Sequence, residues 1–463
     1  MGEISTITAI STAPGKGAIA TIRVSGPAAI GVVDKIFRSP TGKRLANQKA
    51  GTLHFGELHK NNEVIDEVVI SIFHAPRSFT GEDTVEISCH GSVYIQQRIQ
   101  QLLIEKGVQL AAPGEFSQRA FLNGKMDLSQ AEGVADLIAS SSAAAHRLAI
   151  NQMRGGFSKE LQVLRDRLLS FASLIELELD FSEEDVEFAN RSQLKSTAKE
   201  IAAVIRKLAD SFSAGNAIKN GIPVAIIGET NTGKSTLLNL LLKEDKAIVS
   251  DIHGTTRDVI EDVITIQGQL FRFIDTAGIR DTRDKIETLG IERSYRKLLQ
   301  ASIVLWVVDL TRDNVNLEVL AADILSKSED KQVLLVLNKA DLLAEDEQRR
   351  QQDYYSHLGK DMLFISAKKG ENLDRLEQWL IQAANLPSVD DSDVIVTNLR
   401  HYQALTHALT ALERAIDGMD KGISNDFLAQ DIRECMSYLG EITGQITTGD
   451  ILDNIFANFC IGK

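Results

Sequence analysis

The octet Gly228-Glu-Thr-Asn-Thr-Gly233-Lys234-Ser235 follows the apolar stretch Val224–Ile227 and precedes the apolar residues Leu237–Leu242. Strand, glycine-rich loop and helix in that order form a cradle for phosphate, because loop N–H groups and the helix N-terminus both point positive potential at an anion. Gly228, Asn231, Thr232 and Gly233 are expected to wrap the phosphates, Lys234 to reach the β and γ groups as a catalytic cation, and Ser235 to ligate Mg²⁺ with Thr236 beside it. Asp275-Thr276-Ala277-Gly278 follows Leu270–Ile274, which puts an acid near that Mg²⁺ and a glycine N–H where a γ-phosphate would sit. Between the two motifs lies Ser250-Asp251-Ile252-His253-Gly254-Thr255-Thr256, a segment expected at the nucleotide. A hydroxyl there, assigned to Thr256, would complete the Mg²⁺ shell and act as a first switch.

Base choice rests on Asn338-Lys339-Ala340-Asp341, which follows Val333–Leu337. The Asp341 carboxylate can accept from guanine N1–H and the 2-amino group; adenine offers neither and would leave a buried carboxylate unpaired. GTP is therefore expected over ATP. Ser366-Ala367-Lys368, after Leu363–Ile365, supplies a last loop against the base. The set resembles the Ras-like superfamily of GTPases and departs from it at Ile279, where Ras-like proteins carry the Gln that orients the attacking water.

These loops need a scaffold, and the rest of the chain is laid out in blocks. Residues 1–122 read as an α+β unit with strands at Ala18–Val24, Val64–Phe73 and Thr84–Ser88. Residues 123–220 read as helical, with Leu161, Leu164, Leu168, Phe171 and Ile175 on one face. Residues 221–386 form the α/β nucleotide module, and 387–463 return to helix with a stripe at Tyr402, Leu405, Leu409, Leu412 and Ile416. An apolar stripe must be buried, so the last block is expected to pack on 123–220, with the α/β module inserted between them. The expected fold class is multidomain α/β: an α+β N-terminal domain, an all-α domain and an inserted Ras-like G domain.

Composition narrows the class of protein. With 463 residues, 43% hydrophobic and 25% charged, the chain is an ordinary globular one of several domains. Fifty Lys and Arg against 64 Asp and Glu give a net charge of −14, which excludes a surface built all over to clamp nucleic acid. Arg154, Lys159, Arg165 and Arg167 are the run considered for a local basic face, and a solvated helix explains them equally. Cys89, Cys435 and Cys460 make no C-x-x-C pair, so neither a disulfide framework nor a zinc ribbon is expected, and a reducing cytoplasm fits. No apolar run approaches the roughly 20 residues of a membrane helix. Cys89-His90 reads as core and turn, since strand neighbours face opposite sides. Seven carboxylates lie between Glu176 and Glu187; their spacing matches no EF-hand loop, so they read as a solvated acidic turn at a helix start.

Three long motifs identify a closer relationship. Arg23-Val-Ser-Gly with Gly81-Glu-Asp-Thr-Val-Glu86, the run Pro113-Gly-Glu-Phe-Ser-Gln-Arg-Ala-Phe-Leu-Asn-Gly-Lys125-Met-Asp-Leu, and terminal Phe459-Cys-Ile-Gly-Lys463 resemble the MnmE/TrmE family of tRNA-modification GTPases. The resemblance implies a homodimer, with residues 1–122 as the dimerisation and tetrahydrofolate-binding domain, that works with the flavoprotein MnmG, as a heterotetramer or larger complex, on C5 of the wobble uridine of certain tRNAs. It implies a one-carbon tetrahydrofolate, 5-formyl or 5,10-methylene, held by Arg23, Glu86, Lys125 and Lys463, with FAD on the partner rather than on this chain. It also implies K⁺ near the phosphates, held by Asn231, Ser250, Ile252 and Thr255, and Glu287 holding the catalytic water in place of the missing Gln. Cys460 is open: a nucleophile toward uridine C6, with Lys463 lowering its pKa, or a structural or folate-site residue. A ribosome-assembly GTPase switch, a folate-dependent one-carbon transferase regulated by GTP, and a scaffold that binds GTP without useful hydrolysis are the competing functions.

Overall fold

The computed structural model describes residues 5–180, 191–244, 262–274, 300–312, 317–328, 330–386, 393–447, 449–457, 459 and 462. The chain divides into two compact units, one of residues 1–139, 149–205 and 404–463, the other of residues 140–148 and 206–403.

The first unit carries a seven-stranded sheet of β1 (Ile7–Ile10), β2 (Ile19–Ser25), β3 (Phe37–Arg38), β4 (Thr52–Lys60), β5 (Glu63–Phe73), β6 (Thr84–His90) and β7 (Gln109–Leu110), in the order β3-β4-β5-β6-β2-β1-β7. All pairings are antiparallel except β1 with β7. Alternation decides the faces: Val85, Ile87 and Cys89 of β6 are buried, while Glu86, Ser88 and His90 point the other way. The buried side packs against helices Ala29–Ile36 and Val93–Glu105, through Val33, Ile99 and Leu103 among others. Each such fully buried aliphatic side chain contributes about 1.5–3 kcal/mol. Neither helix was anticipated from the strand-and-turn reading of residues 1–122.

The same unit holds a helical layer. Leu161, Leu164, Leu168, Phe171 and Ile175 of helix Gly156–Asp180 are all buried, as their spacing required. In helix Leu399–Asp420 Leu405, Ala408, Ala411, Leu412 and Ala415 are among the buried positions, with Tyr402, Leu409 and Ile416 only half-buried, so small alanines take part of the expected stripe. The acidic stretch is displaced from its expected place. Glu176, Glu178 and Asp180 form the last turn of helix Gly156–Asp180 rather than the start of one, and Glu176 pairs with Arg433. Glu183, Glu184, Asp185 and Glu187 lie outside the described residues, among which no group of three His, Cys, Asp or Glu is placed to hold a metal.

The second unit is a doubly wound sheet of β8 (Ile222–Ile227), β9 (Asp262–Ile266), β10 (Gln269–Phe273), β11 (Ile303–Asp309), β12 (Gln332–Asn338) and β13 (Asp361–Ile365), ordered β13-β12-β11-β8-β10-β9. Only β9 runs antiparallel to its neighbour. Every residue of β11 is buried, as expected of a parallel strand covered on both faces. Among the described residues no helix is long and apolar enough to cross a membrane.

Candidate functional site: the glycine-loop cradle and the outer face of the N-terminal sheet

The loop after β8 is shaped by steric necessity. Gly228 has φ +146, and a Cβ there would stand 2.2 Å from the Val307 carbonyl oxygen of β11. Gly233 has φ +99, and a Cβ would meet Asn338 Nδ2 at 2.1 Å. No other residue type fits either place. Asn231 sits exposed at the loop tip with φ +63, a left-handed conformation that Asn tolerates better than most residues. The Thr232 hydroxyl donates to the Glu229 carbonyl at 3.0 Å and closes the loop. Lys234 opens helix Lys234–Glu244 and donates its ammonium to the Gly228 carbonyl at 2.9 Å and to that of Glu229. Ser235 and Thr236 follow in the first turn.

Asn338, at the end of β12, joins two loops. Its Nδ2 donates to the Thr232 carbonyl at 2.7 Å, and its Oδ1 accepts from Ala367 N–H at 3.0 Å, all of it buried. One side chain thus sets the distance between the glycine loop and the Ser366-Ala367 loop. Asp341 lies in the short turn that follows. A hydrogen bond from the Ser366 hydroxyl, backed by the Lys369 ammonium at 3.3 Å, holds its carboxyl below the usual carboxylate range. Lys368, the cation expected in this loop, is exposed, and its neighbour Lys369 makes the contact.

A second anchor escaped sequence reasoning. Asp309, buried at the end of β11, accepts from the Thr311 N–H at 3.0 Å and hydroxyl at 2.7 Å, and pairs with Lys339 at 2.5 Å. Burial pushes its carboxyl up, but the Lys339 and Thr311 hydrogen bonds outweigh that and hold it below the usual range. Arg312, 3.5 Å from the same carboxylate, donates to the Thr230 carbonyl at the tip of the glycine loop, at 3.2 Å. Two cations around one acid at a strand end were the available signal, and no contiguous motif marks them.

The described chain reaches Ile274, whose N–H donates to Val224 O of β8 at 3.0 Å. Asp275, Thr276, Ala277, Gly278, Ile279 and Glu287 lie outside the described residues, as do Ser250, Asp251, Ile252, His253, Gly254, Thr255 and Thr256.

The second cluster belongs to the first unit. Arg23 and Glu86 are 63 residues apart in sequence yet directly opposite on β2 and β6. Glu86 Oε1 accepts from Arg23 Nη2 at 2.7 Å and Nε at 3.0 Å, on the sheet face away from the core. The guanidinium also lies 5.4 Å from the Phe79 ring and 5.6 Å from that of Phe116, a cation–π arrangement. Lys125 donates to the Pro76 carbonyl at 2.9 Å and packs beside Gly81, so it meets the same connection between β5 and β6 that carries Phe79. Near the C-terminus, buried Gly462 accepts from the Ser11 hydroxyl at 3.3 Å. Ser11 in turn donates its N–H to Thr21 of β2. Cys460 and Lys463 lie outside the described residues. Arg23 thus holds one carboxylate oxygen of Glu86 and leaves Oε2 without a bond from it, a setting that suits a ligand with N–H donors.

A family model described as the MnmE helical domain matches residues 128–460, and one described as the GTP-binding protein TrmE N-terminus matches residues 6–125. The chain belongs to the MnmE family of tRNA modification GTPases. A relative from Bacteroides fragilis named tRNA modification GTPase MnmE is 61% identical over 99% of both chains, and one of the same name from Bacteroides thetaiotaomicron is 60% identical over the same shares. Among solved structures, Era of Aquifex aeolicus bound to GDP and aluminium fluoride is 28% identical over 41% of this chain and 65% of its own, at a TM-score of 0.27. Membership accounts for the TrmE-type N-terminal region and the MnmE helical region, and the doubly wound sheet with its glycine loop lies within the residues that the helical model matches.

Proposed function

We propose that this MnmE-family chain is a K⁺-stimulated GTP hydrolase. With a flavoprotein partner, MnmG, it installs an aminomethyl or carboxymethylaminomethyl group at C5 of the wobble uridine of certain tRNAs, drawing on a one-carbon tetrahydrofolate. The observation that carries the reading is Asn338, which ties the glycine loop to the Ser366-Ala367 loop while Asp341 stands ionised beside it. That arrangement holds a triphosphate and a guanine at a fixed separation, and an ionised Asp341 pairs with N1–H and the 2-amino group only in guanine.

Lys234 and the loop N–H groups hold the phosphates, and Ser235 with Thr256 would hold Mg²⁺. Asn231, Ser250, Ile252 and Thr255 would hold K⁺; the exposed, left-handed Asn231 at the loop tip fits a carbonyl-oxygen donor presented from outside the loop. When bound, the two cations offset the charge that develops on the transferred phosphoryl group. Glu287 orients water in the role that Gln plays in Ras-like proteins. Arg23, Glu86, Lys125 and Lys463 would hold the folate, with Glu86 accepting from the pterin and the cations facing its glutamate tail. The chain acts as a homodimer, with the G domain of residues 221–386 inserted between helical segments 123–220 and 387–463.

GTP turnover in KCl against NaCl at equal ionic strength tests this, on the wild type and on Asn231→Ala, Asn231→Lys and Glu287→Ala. Expected are a large K⁺-specific stimulation lost in both Asn231 variants, and a Glu287→Ala variant that binds GTP without hydrolysing it. Equal rates in the two salts would remove the K⁺ role. Wobble uridine left unmodified when the chain, its flavoprotein, GTP and folate are combined would remove the tRNA role.

A further inference from the structure

The chain carries a net charge of −14, yet residues 35–49 hold Lys35, Arg38, Lys43, Arg44 and Lys49 and no acid at all. All five cations are exposed. Lys35 stands in the last turn of helix Ala29–Ile36, Arg38 in β3 at the edge of the N-terminal sheet, and Lys43, Arg44 and Lys49 in the connection that leads back to β4.

The segment that carries them is held from beneath. Leu45 is buried in the core, and its N–H donates at 2.6 Å to Oδ1 of buried Asp34, whose Oδ2 accepts from Arg44 at 2.8 Å. Gln48 donates to the Arg44 carbonyl at 2.9 Å, and the Thr52 hydroxyl donates to the Lys49 carbonyl at 2.6 Å. Gly42, at φ +67, closes the intervening turn onto Ser39. The charges therefore stand on ordered backbone, which lowers the entropic cost of engaging a partner.

The helical layer of the same unit is mixed: Arg154 and Lys159 are exposed with no acidic partner among the described residues, and other cations are paired. There Arg167 pairs with Glu200, Arg433 with Glu176, Lys195 with Asp420, and Arg414 with Asp431 and Glu434. Within 35–49 only Arg44 has an acidic partner among the described residues; Lys35, Arg38, Lys43 and Lys49 have none. Thr41 and Asn47 are exposed between them and add neutral hydrogen-bonding groups. The segment's one aromatic residue, Phe37, is buried, so nothing there stacks a base. Arg38 donates to the Asn61 carbonyl at 3.3 Å, and cations without acidic partners, polar donors and no stacking platform match a sugar–phosphate backbone read without regard to sequence.

We propose that the edge formed by Lys35, Arg38, Lys43 and Lys49 is the surface on which this chain receives the phosphate backbone of its tRNA. The inference rests on the tRNA reading given above, and it locates the contact that an acidic chain needs.

The test is binding of fluorescently labelled tRNA to the full chain from 50 to 200 mM KCl. The wild type is compared with Lys35→Gln/Arg38→Gln/Lys43→Gln/Lys49→Gln and with the single variant Lys43→Glu, whose site near the turn is open. Four lost phosphate contacts should lower the slope of log K against log salt by about 3 and weaken binding at least tenfold at 50 mM, with GTP turnover unchanged. Lys43→Glu should weaken binding by a few-fold, and Arg154→Gln/Lys159→Gln on the helical layer should leave it unchanged. Absence of wild-type binding at 50 mM, an unchanged affinity and slope in the quadruple variant, or a quadruple variant that loses only binding to anionic phosphatidylglycerol vesicles would each overturn the proposal. The two readings fail separately. A wild type that modifies no uridine while the quadruple variant still loses tRNA leaves the surface standing; a wild type that modifies tRNA while the variant binds normally removes the surface alone.

Discussion

The two sheets of this protein place chemistry in different parts of their strands. In the mostly parallel sheet of the second unit the central strands β11 and β12 are buried on both faces, so functional groups stand in the loops beyond strand ends, as in doubly wound folds generally. Residues 228–235, 338–341 and 366–369 are each one such loop. The antiparallel N-terminal sheet packs its main core and helices Ala29–Ile36 and Val93–Glu105 on one face; its chemistry stands on the other, on the strands themselves, beside a small cluster of Ile7, Ala9, Ala111 and Phe116 to which helix Glu115–Leu122 contributes. There Arg23 meets Glu86 by register, across 63 residues of sequence. Loop chemistry is written contiguously, whereas face chemistry is written two residues apart on strands that pairing brings together later.

The sharpest test of that contrast is Asn338→Ala. It leaves the Thr232 carbonyl and the Ala367 N–H buried and unpaired. At about 1–3 kcal/mol for each unsatisfied group, GTP affinity should fall on the order of 100-fold. A fluorescent GTP titration measures it, and a loss under tenfold would mean that the two loops keep their separation without this side chain. Thermal melting of the N-terminal unit should not move.

Asp309→Ala should act next most strongly. It strips the anchor from Lys339 and Arg312, and through Arg312 from the glycine-loop tip. Both cations are partly exposed and can turn to water, so the expected loss is about 1–2 kcal/mol, a rise in KM of roughly tenfold with kcat largely kept. Asp309→Asn, which keeps an oxygen for Thr311, should recover part of it. A fall in kcat at unchanged KM would instead place Asp309 in the chemical step.

This pair of variants also marks where the sequence was readable. Asn338 stood in a contiguous motif whose strand-loop setting was visible; Asp309 and Lys369 did not, because the charged partners that decide their roles, Lys339 and Asp341, belong to the loop after another strand. The buried stripe from Leu161 to Ile175 was legible from spacing alone, as was the inward Cys89 beside the outward His90. Helix Ala29–Ile36 was not, since eight residues give too few turns for a period to show against the neighbouring strands. Arg23, Glu86 and Lys125 were found only through the family motifs; as isolated charges they resemble any surface residue. The basic segment 35–49 was overlooked because a count over the whole chain averages it away.

On the N-terminal face, effects should be smaller. The Arg23–Glu86 pair is partly exposed, so Arg23→Ala should cost about 1 kcal/mol of that unit's stability, read by urea denaturation. Intrinsic GTP turnover should stay at the wild-type rate. Folate binding, followed by fluorescence quenching, should be lost in Arg23→Ala and Glu86→Ala. Folate retained by both would leave the pair a purely structural cross-strand contact.

The smallest effect belongs to the thiols, of which Cys89 probes the buried side of the same sheet and Cys435 lies in helix Asn425–Thr443. Burial, reinforced by the charge of Asp66, pushes the Cys89 thiol up to about 11; burial, reinforced by Glu434, pushes Cys435 up to about 12. A raised folded-state pKa means that the folded chain keeps a proton the unfolded chain gives up sooner. The thiols' contribution is therefore fully present below about pH 9, and it falls as pH rises from there toward 11 and 12. Folded protein at pH 8.5 should leave both thiols unlabelled by iodoacetamide, and both should label once the chain is unfolded in urea. Cys89→Ala should flatten the decline in stability between pH 9 and 11 without touching the decline due to Cys435. Rapid labelling of Cys89 in the folded state would show that β6 does not keep its inward face covered, and with that the division of this sheet into a packed side and a working side would fall.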